Sequence, residues 1–71
     1  MKRKWKENNY SNYRVSALID EYVHNARDRE IIRDKLVDGI TYDALAERYG
    51  LTYERVKVIV KEGRQTIEQY Y

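Results

Sequence analysis

The sequence predicts an all-α domain of three to four helices, and three observations carry that prediction. Apolar residues recur at three- and four-residue steps, and no stretch alternates apolar with polar for long. The chain has no proline and only three glycines, a composition suited to helices joined by short turns. Two segments eleven residues apart, Ile40-Thr41 and Leu51-Thr52, also repeat the same helix-start residues.

Residues 1–10 (MKRKWKENNY) are polar and lack helical periodicity, so they are expected to form a flexible basic arm ahead of a helical domain over 11–71. From about Asn12 to Asn25, Val15, Leu18, Ile19, Tyr22, Val23 and Ala26 mark one face of an amphipathic first helix. The second helix is expected to start after Asn25. Asparagine is a good N-cap, and Asp28 falls in the first turn, where its charge favours the helix dipole. Ile31, Ile32, Lys35 and Leu36 form its inner stripe, with the Lys35 methylenes covered and its ammonium directed outward. Gly39 is the expected stop, because glycine accepts the left-handed conformation past a helix end.

Thr41 is the expected N-cap of the third helix, with Ile40 and Leu45 at the spacing of a hydrophobic staple. Leu45, Ala46 and Tyr49 face inward and Gly50 ends the helix. The fourth helix repeats this grammar, with Thr52 as N-cap and Leu51 and Val56 as staple. Its inner stripe runs Val56, Ile59, Val60, Gly63, Ile67 and Tyr70. Gly63 either admits a close approach by another helix, the first being the candidate, or ends or bends this one. Tyr22, Tyr49 and Tyr70 fall on inner stripes as core or boundary rings with their hydroxyls at the edge. A dimer contact is the alternative for Tyr70 and Tyr71.

The third and fourth helices together meet the demands of a helix-turn-helix. The crossing needs a small residue inside its first helix, which Ala46 supplies. It needs tolerance of positive φ at the turn, which Gly50 supplies, and an apolar plug after it, which is Leu51. Val56 and Ile59 complete the inner face of the second helix. A strand anywhere between Thr41 and Lys61 would contradict this reading.

Composition excludes several function classes. The absence of cysteine rules out disulfides and thiolate metal sites, and the single histidine, His24, is too few for a histidine-based site. No metal or cofactor is expected, and no nucleophile–base arrangement, phosphate-cradling glycine loop or paired-carboxylate cleft suggests an enzyme. No apolar run approaches the ~20 residues of a membrane span, and no apolar stretch follows the basic start as in a signal peptide. The cytoplasm is therefore the expected location. The 14 basic and 12 acidic residues give a net +2. Four of the basic residues, Lys2, Arg3, Lys4 and Lys6, lie in the first six positions, so the remainder carries a net −2. Attraction to nucleic acid must then come from a local patch plus the arm.

The stretch DREIIRDKLVDGITYDALAERYGLTYERVKVIVKEG covers about half the chain and resembles region 4 of bacterial sigma factors and similar small regulators of phages and mobile elements. The elements that carry the resemblance are DREII, Gly39, Ile40-Thr41-Tyr42, Ala46-Glu47-Arg48-Tyr49-Gly50 and Thr52-Tyr53-Glu54-Arg55-Val56. The resemblance implies DNA reading by Tyr53, Glu54, Arg55, Lys57 and Val58. Val58 departs from the family pattern, which has a polar residue there, and offers at most a contact with a thymine methyl. The other regions of a sigma factor do not fit in 71 residues, so promoter melting is not expected.

The outer face of the fourth helix gives a similar set independently. It presents Tyr53, Glu54, Arg55, Lys57, Lys61 and Arg64. Arg55 can bond guanine O6 and N7, and Glu54 can accept from a cytosine amino group. Lys57, Lys61 and Arg64 suit phosphates, as do Thr41, Tyr42 and Thr52 at helix starts. The expectation is a sequence-specific binder of double-stranded DNA, a small transcriptional regulator placing the helix after Thr52 in the major groove. One such motif has a small footprint, so a homodimer or a partner protein is expected. Two other readings stay open. One is an interaction module of the same fold that binds RNA polymerase or another regulator. The other is a phage structural or DNA-packaging component. For the side chains themselves, the plain alternative is a solvated helix face with Glu54 paired to Lys57 or Lys61.

Overall fold

The computed structural model describes residues 12–71. They form four helices: α1 (Asn12–Tyr22), α2 (Ala26–Leu36), α3 (Tyr42–Tyr49) and α4 (Tyr53–Tyr70). No strand occurs among the described residues. The expected arm, residues 1–10, lies outside them.

Three helix starts follow from local chemistry. The Asn25 side chain accepts from the Asp28 N–H at 3.0 Å, Thr41 Oγ1 from the Ala44 N–H at 3.2 Å, and Thr52 Oγ1 from the Arg55 N–H at 3.1 Å. Each satisfies a donor that the first turn of a helix would otherwise leave without a partner. The same demand corrects the end of α1. Asn25 must be extended to cap α2 (φ −82, ψ 122), so the first helix stops at Tyr22 instead of running to Asn25. Ala26 opens α2 and is exposed. The Arg29 guanidinium then donates to the carbonyls of Val23 at 3.0 Å and His24 at 3.2 Å, covering acceptors that the end of α1 exposes. Regular α2 ends at Leu36, and the chain reverses at Gly39 (φ 72).

The core is built from all four helices: Val15 and Ile19, Ile31, Ile32 and Leu36, Leu45, and Val56, Ile59, Val60 and Ile67. Each such side chain contributes about 1.5–3 kcal/mol relative to exposure, and these contributions offset the chain entropy of folding. Helix α4 packs against all three others and α1 against α2 and α4. Ile40 and Leu51, the outer members of the two staples, are partly buried against this core.

Gly63 is buried in an α4 that runs unbroken from Tyr53 to Tyr70. The helix that approaches it is α2, not α1. A Cβ at Gly63 would lie 2.3 Å from Ile32 Cδ1 and 2.7 Å from Ile32 Cγ1. The hydrogen atom of glycine is what lets Ile32 lie across α4.

Polar links hold the remaining pairs. Asp34, which the apolar periodicity of α2 does not single out, is buried at 9% exposure. Its Oδ2 accepts from the Tyr49 hydroxyl at 2.7 Å and from Arg48 at 3.2 Å, joining α2 to α3. Burial first, then the hydrogen bond to Asp34 and its charge, raise the Tyr49 phenol above its ordinary value. Arg33 of α2 donates to Ser16 Oγ at 3.0 Å and pairs with Asp20, both on α1. At the far end Tyr22 stacks on Tyr70 with centroids 3.9 Å apart and planes 4° from parallel. Arg14 bonds the Tyr71 carbonyl and lies over its ring, 4.4 Å from the centroid. Tyr70 and Tyr71 thus make contacts within this chain.

Candidate nucleic-acid interface

The turn between α3 and α4 is three residues long, Gly50-Leu51-Thr52, and each has a separate task. Gly50 is left-handed (φ 67, ψ 35), and its N–H donates to the Ala46 carbonyl. The Leu51 N–H bonds the same carbonyl at 2.9 Å, closing the end of α3. Leu51 turns its side chain to the core, and Thr52 caps the next helix. Leu45 is fully buried and Ala46 partly so, where α3 meets α4. The crossing expected from the sequence is therefore formed.

With Val56, Ile59, Val60, Gly63 and Ile67 turned inward, α4 exposes Tyr53, Glu54, Arg55, Lys57, Val58 and Lys61, with Arg64 half-buried. Tyr42, Glu54, Lys57, Val58, Lys61 and Arg64 line an open groove of about 440 Å³. The groove brings together five of the nine candidate residues and adds Val58. Three cationic side chains and one carboxylate give it a positive balance. Glu54 forms no ion pair with Lys57 or Lys61 among the described residues, so the surface-pair alternative is not formed.

Arg55 is exposed but does not line the groove. Successive helix residues are about 100° apart, which sets Arg55 on the flank of α4 opposite Tyr53. Thr41 and Thr52 are exposed at the starts of α3 and α4. Their oxygens already serve as caps, which leaves each hydroxyl hydrogen as a donor.

Sequence reasoning missed Lys35 as part of this surface. Its ammonium lies 4.4 Å from the Tyr42 ring centroid. Tyr42 meets Tyr53 edge to face at 5.7 Å and 70°, and Lys57 lies 5.5 Å from the Tyr53 centroid. A cation–ring–ring–cation row thus crosses from the end of α2 over the starts of α3 and α4. The sequence carried half of this signal: Lys35 was expected to direct its ammonium outward, but nothing local named Tyr42 as its neighbour.

These features define a class: a small helix-turn-helix domain whose second motif helix projects an exposed, positively balanced face. The sequence pattern of sigma-70, region 4, matches residues 25–69. The match takes in α2, α3 and α4, and the chain belongs to the sigma-70 region 4 family. Comparison with curated proteins and with solved structures gives no match. Domains of this family are DNA-binding, non-catalytic modules of transcription that also bind RNA polymerase. No helix among the described residues is long and apolar enough to cross a membrane.

Proposed function

We propose that this protein is a sequence-specific regulator that places the start of α4 in the major groove of double-stranded DNA. One observation carries the proposal: a single groove unites Lys57, Lys61 and Arg64 with Glu54 on the outward face of a helix anchored by Val56, Ile59 and Val60. Helix-turn-helix proteins read base edges mainly with the first turns of that helix. Arg55 then bonds guanine and Glu54 accepts from cytosine, each such pair worth about 1–3 kcal/mol of discrimination. Lys57, Lys61, Arg64, Tyr42, Tyr53 and the hydroxyls of Thr41 and Thr52 meet phosphates and fix the register. The footprint of one motif is small, so the working form is a homodimer or a complex with a partner, acting in the cytoplasm. The setting in a phage or mobile element belongs to the same proposal and rests on the resemblance alone.

A titration against random duplex DNA at several salt concentrations tests this. The log of the affinity should fall linearly with the log of salt concentration. Lys57→Ala and Lys61→Ala should each flatten that slope by about one. Arg55→Ala should relax the preference at one base pair in a selected site. An absence of binding at low salt would defeat the proposal.

One observation favours a second reading, an interaction module for RNA polymerase. Residues 12–71 hold eleven acidic and ten basic side chains, so the domain without its first residues has little general attraction for phosphate. Capture of RNA polymerase by a chain that ignores duplex DNA would select this reading.

A further inference from the structure

We infer that the cleft between the α1–α2 joint and α4 is a binding site for a short organic dication, a diamine or guanidino-amine. The inference goes beyond the DNA-binding reading and does not depend on it. The cleft lies where the chain leaves α1 at Tyr22 and passes through Val23 and His24 to the extended Asn25 cap of α2. Its volume is about 240 Å³. At the ~30 Å³ that each molecule occupies in liquid water, that is room for about eight non-hydrogen atoms. Ile59, Glu62, Gly63 and Thr66 line it from α4. At ~100° per residue their mean direction is roughly 140° around the helix from that of Lys57, Val58 and Lys61. The cleft and the cationic groove therefore occupy different sides of α4.

Charge and shape select the occupant. Asp28 lines the cleft from α2 and Glu62 from α4, and among the described residues no lysine or arginine lines it. Glu62 forms no ion pair among the described residues, and the Asp28 carboxylate pairs only with its neighbour Arg27, at 3.4 Å. The Arg29 guanidinium is held on the carbonyls of Val23 and His24. Thr66 Oγ1 donates its hydrogen to the Glu62 carbonyl at 3.1 Å, which leaves it an acceptor toward a ligand. Tyr22, braced by its stack on Tyr70, adds a ring that attracts cations. Ile32, Ile59 and Gly63 supply an apolar part of the lining that suits methylene groups between two charged ends. The same carboxylates repel anions. A metal ion fits less well, because Ca²⁺ takes about six to eight oxygen ligands. Among the described residues no group of three or more histidine, aspartate or glutamate side chains could hold one.

The test titrates 1,6-diaminohexane into the full chain at constant ionic strength, followed by amide NMR and by thermal unfolding. Amide shifts should saturate and be largest at Asp28, Glu62, Gly63 and Thr66. Tm should rise with diamine concentration, because binding favours the folded state. Hexylamine, with one charge fewer, should bind at least about threefold more weakly, and 1,6-hexanediol should not bind, since charge-assisted hydrogen bonds hold the two ends. Glu62→Gln and Asp28→Asn keep the side-chain shape and remove one charge each. Each should weaken diamine binding at least about threefold, a modest factor because both carboxylates are in part reached by water. Glu62 is exposed, so circular dichroism of Glu62→Gln should match wild type. Lys57→Ala, on the other side of α4, should leave diamine binding unchanged. Shifts that fail to saturate, the same shifts from magnesium chloride at matched ionic strength, or wild-type affinity in Glu62→Gln would each overturn the assignment. A protein that ignores duplex DNA yet binds the diamine would defeat the DNA-binding reading and leave this site standing.

Discussion

From Tyr53 to Lys61, α4 keeps six side chains exposed and confines its core contacts to Val56, Ile59 and Val60. From Glu62 to Tyr70 the same helix is a post against which α1 and α2 lean. Gly63 lies under Ile32, Ile67 is fully buried, and Tyr70 stacks on Tyr22. The amphipathic period does not change between the halves; the neighbours do. In the first half, residues that hold the fold and residues that face outward are distinct sets, so the surface can vary without a cost in folding. In the second half fewer side chains are exposed, Glu62, Gln65, Gln69 and Tyr70, and Tyr70 itself belongs to a contact of the fold. The family match includes both halves of α4 but leaves out α1, so the second half also carries a brace that the match does not include.

The largest expected effect separates the two halves directly. Ile67→Ala removes a fully buried side chain and should destabilise the domain by about 2–5 kcal/mol. Lys57→Ala should shift stability by less than about 0.5 kcal/mol, as surface substitutions do, while weakening DNA binding. Urea denaturation checks both. Equal stability losses in the two variants would erase the distinction.

A smaller effect tests the contact that sets the approach of α2. Gly63→Ala gains about 1 kcal/mol of helix propensity. It also drives a methyl into Ile32, whose Cδ1 is 2.3 Å from the new atom, and overpacking of this kind costs about 1–3 kcal/mol. The net result should be a loss of up to about 2 kcal/mol. Ile32→Val deletes the nearest atom and alone should cost about 0.5–1.5 kcal/mol. In the Gly63→Ala background it should cost less, with a coupling of at least about 0.5 kcal/mol in the double-mutant cycle. Strict additivity would mean that Ile32 moves aside freely and that the glycine is not what admits α2.

The features legible in the sequence are those that local chemistry fixes. Asn25, Thr41 and Thr52 cap because a side-chain oxygen can reach an N–H three residues on, and this needs no knowledge of the fold. Gly50 and Leu51 were legible for the same reason. The end of α1 was misread because Val23 and Ala26 continue its spacing beyond Tyr22. The cap at Asn25 needs extended backbone and overrides them. Contacts between elements left weaker traces. Gly63 announced a close approach but not which helix made it. Asp34 had no mark, since its partners Arg48 and Tyr49 lie fourteen and fifteen residues away. The outward face of α4 followed from its period, but the groove needs Tyr42 from another helix. That is why Arg55 looked equivalent to Lys57 in sequence and stands apart from the groove in space.

Asp34 supplies the smallest effect, and it bears on the first half of α4 through α3. Tyr49→Phe removes the hydroxyl that donates to Asp34 at 2.7 Å and should cost about 0.5–1.5 kcal/mol at neutral pH. The loss is limited because Arg48 still donates to the same oxygen. The alkaline limb is more diagnostic. The Tyr49 phenol is raised above its ordinary 10.0, chiefly by burial and then by Asp34. The folded state therefore holds that proton more tightly than the unfolded chain does. The stabilisation is complete below the unfolded value near 10.0 and is lost as pH rises through the higher folded value. Wild-type stability should decline from about pH 10 upward, and Tyr49→Phe should decline less steeply over that window, because phenylalanine has no proton to lose. The other tyrosines remain in both chains, so the difference between the two profiles isolates this phenol. Parallel profiles would mean that the α2–α3 link does not depend on the Tyr49 proton. The α2–α3 link would then rest on the pair between Arg48 and Asp34.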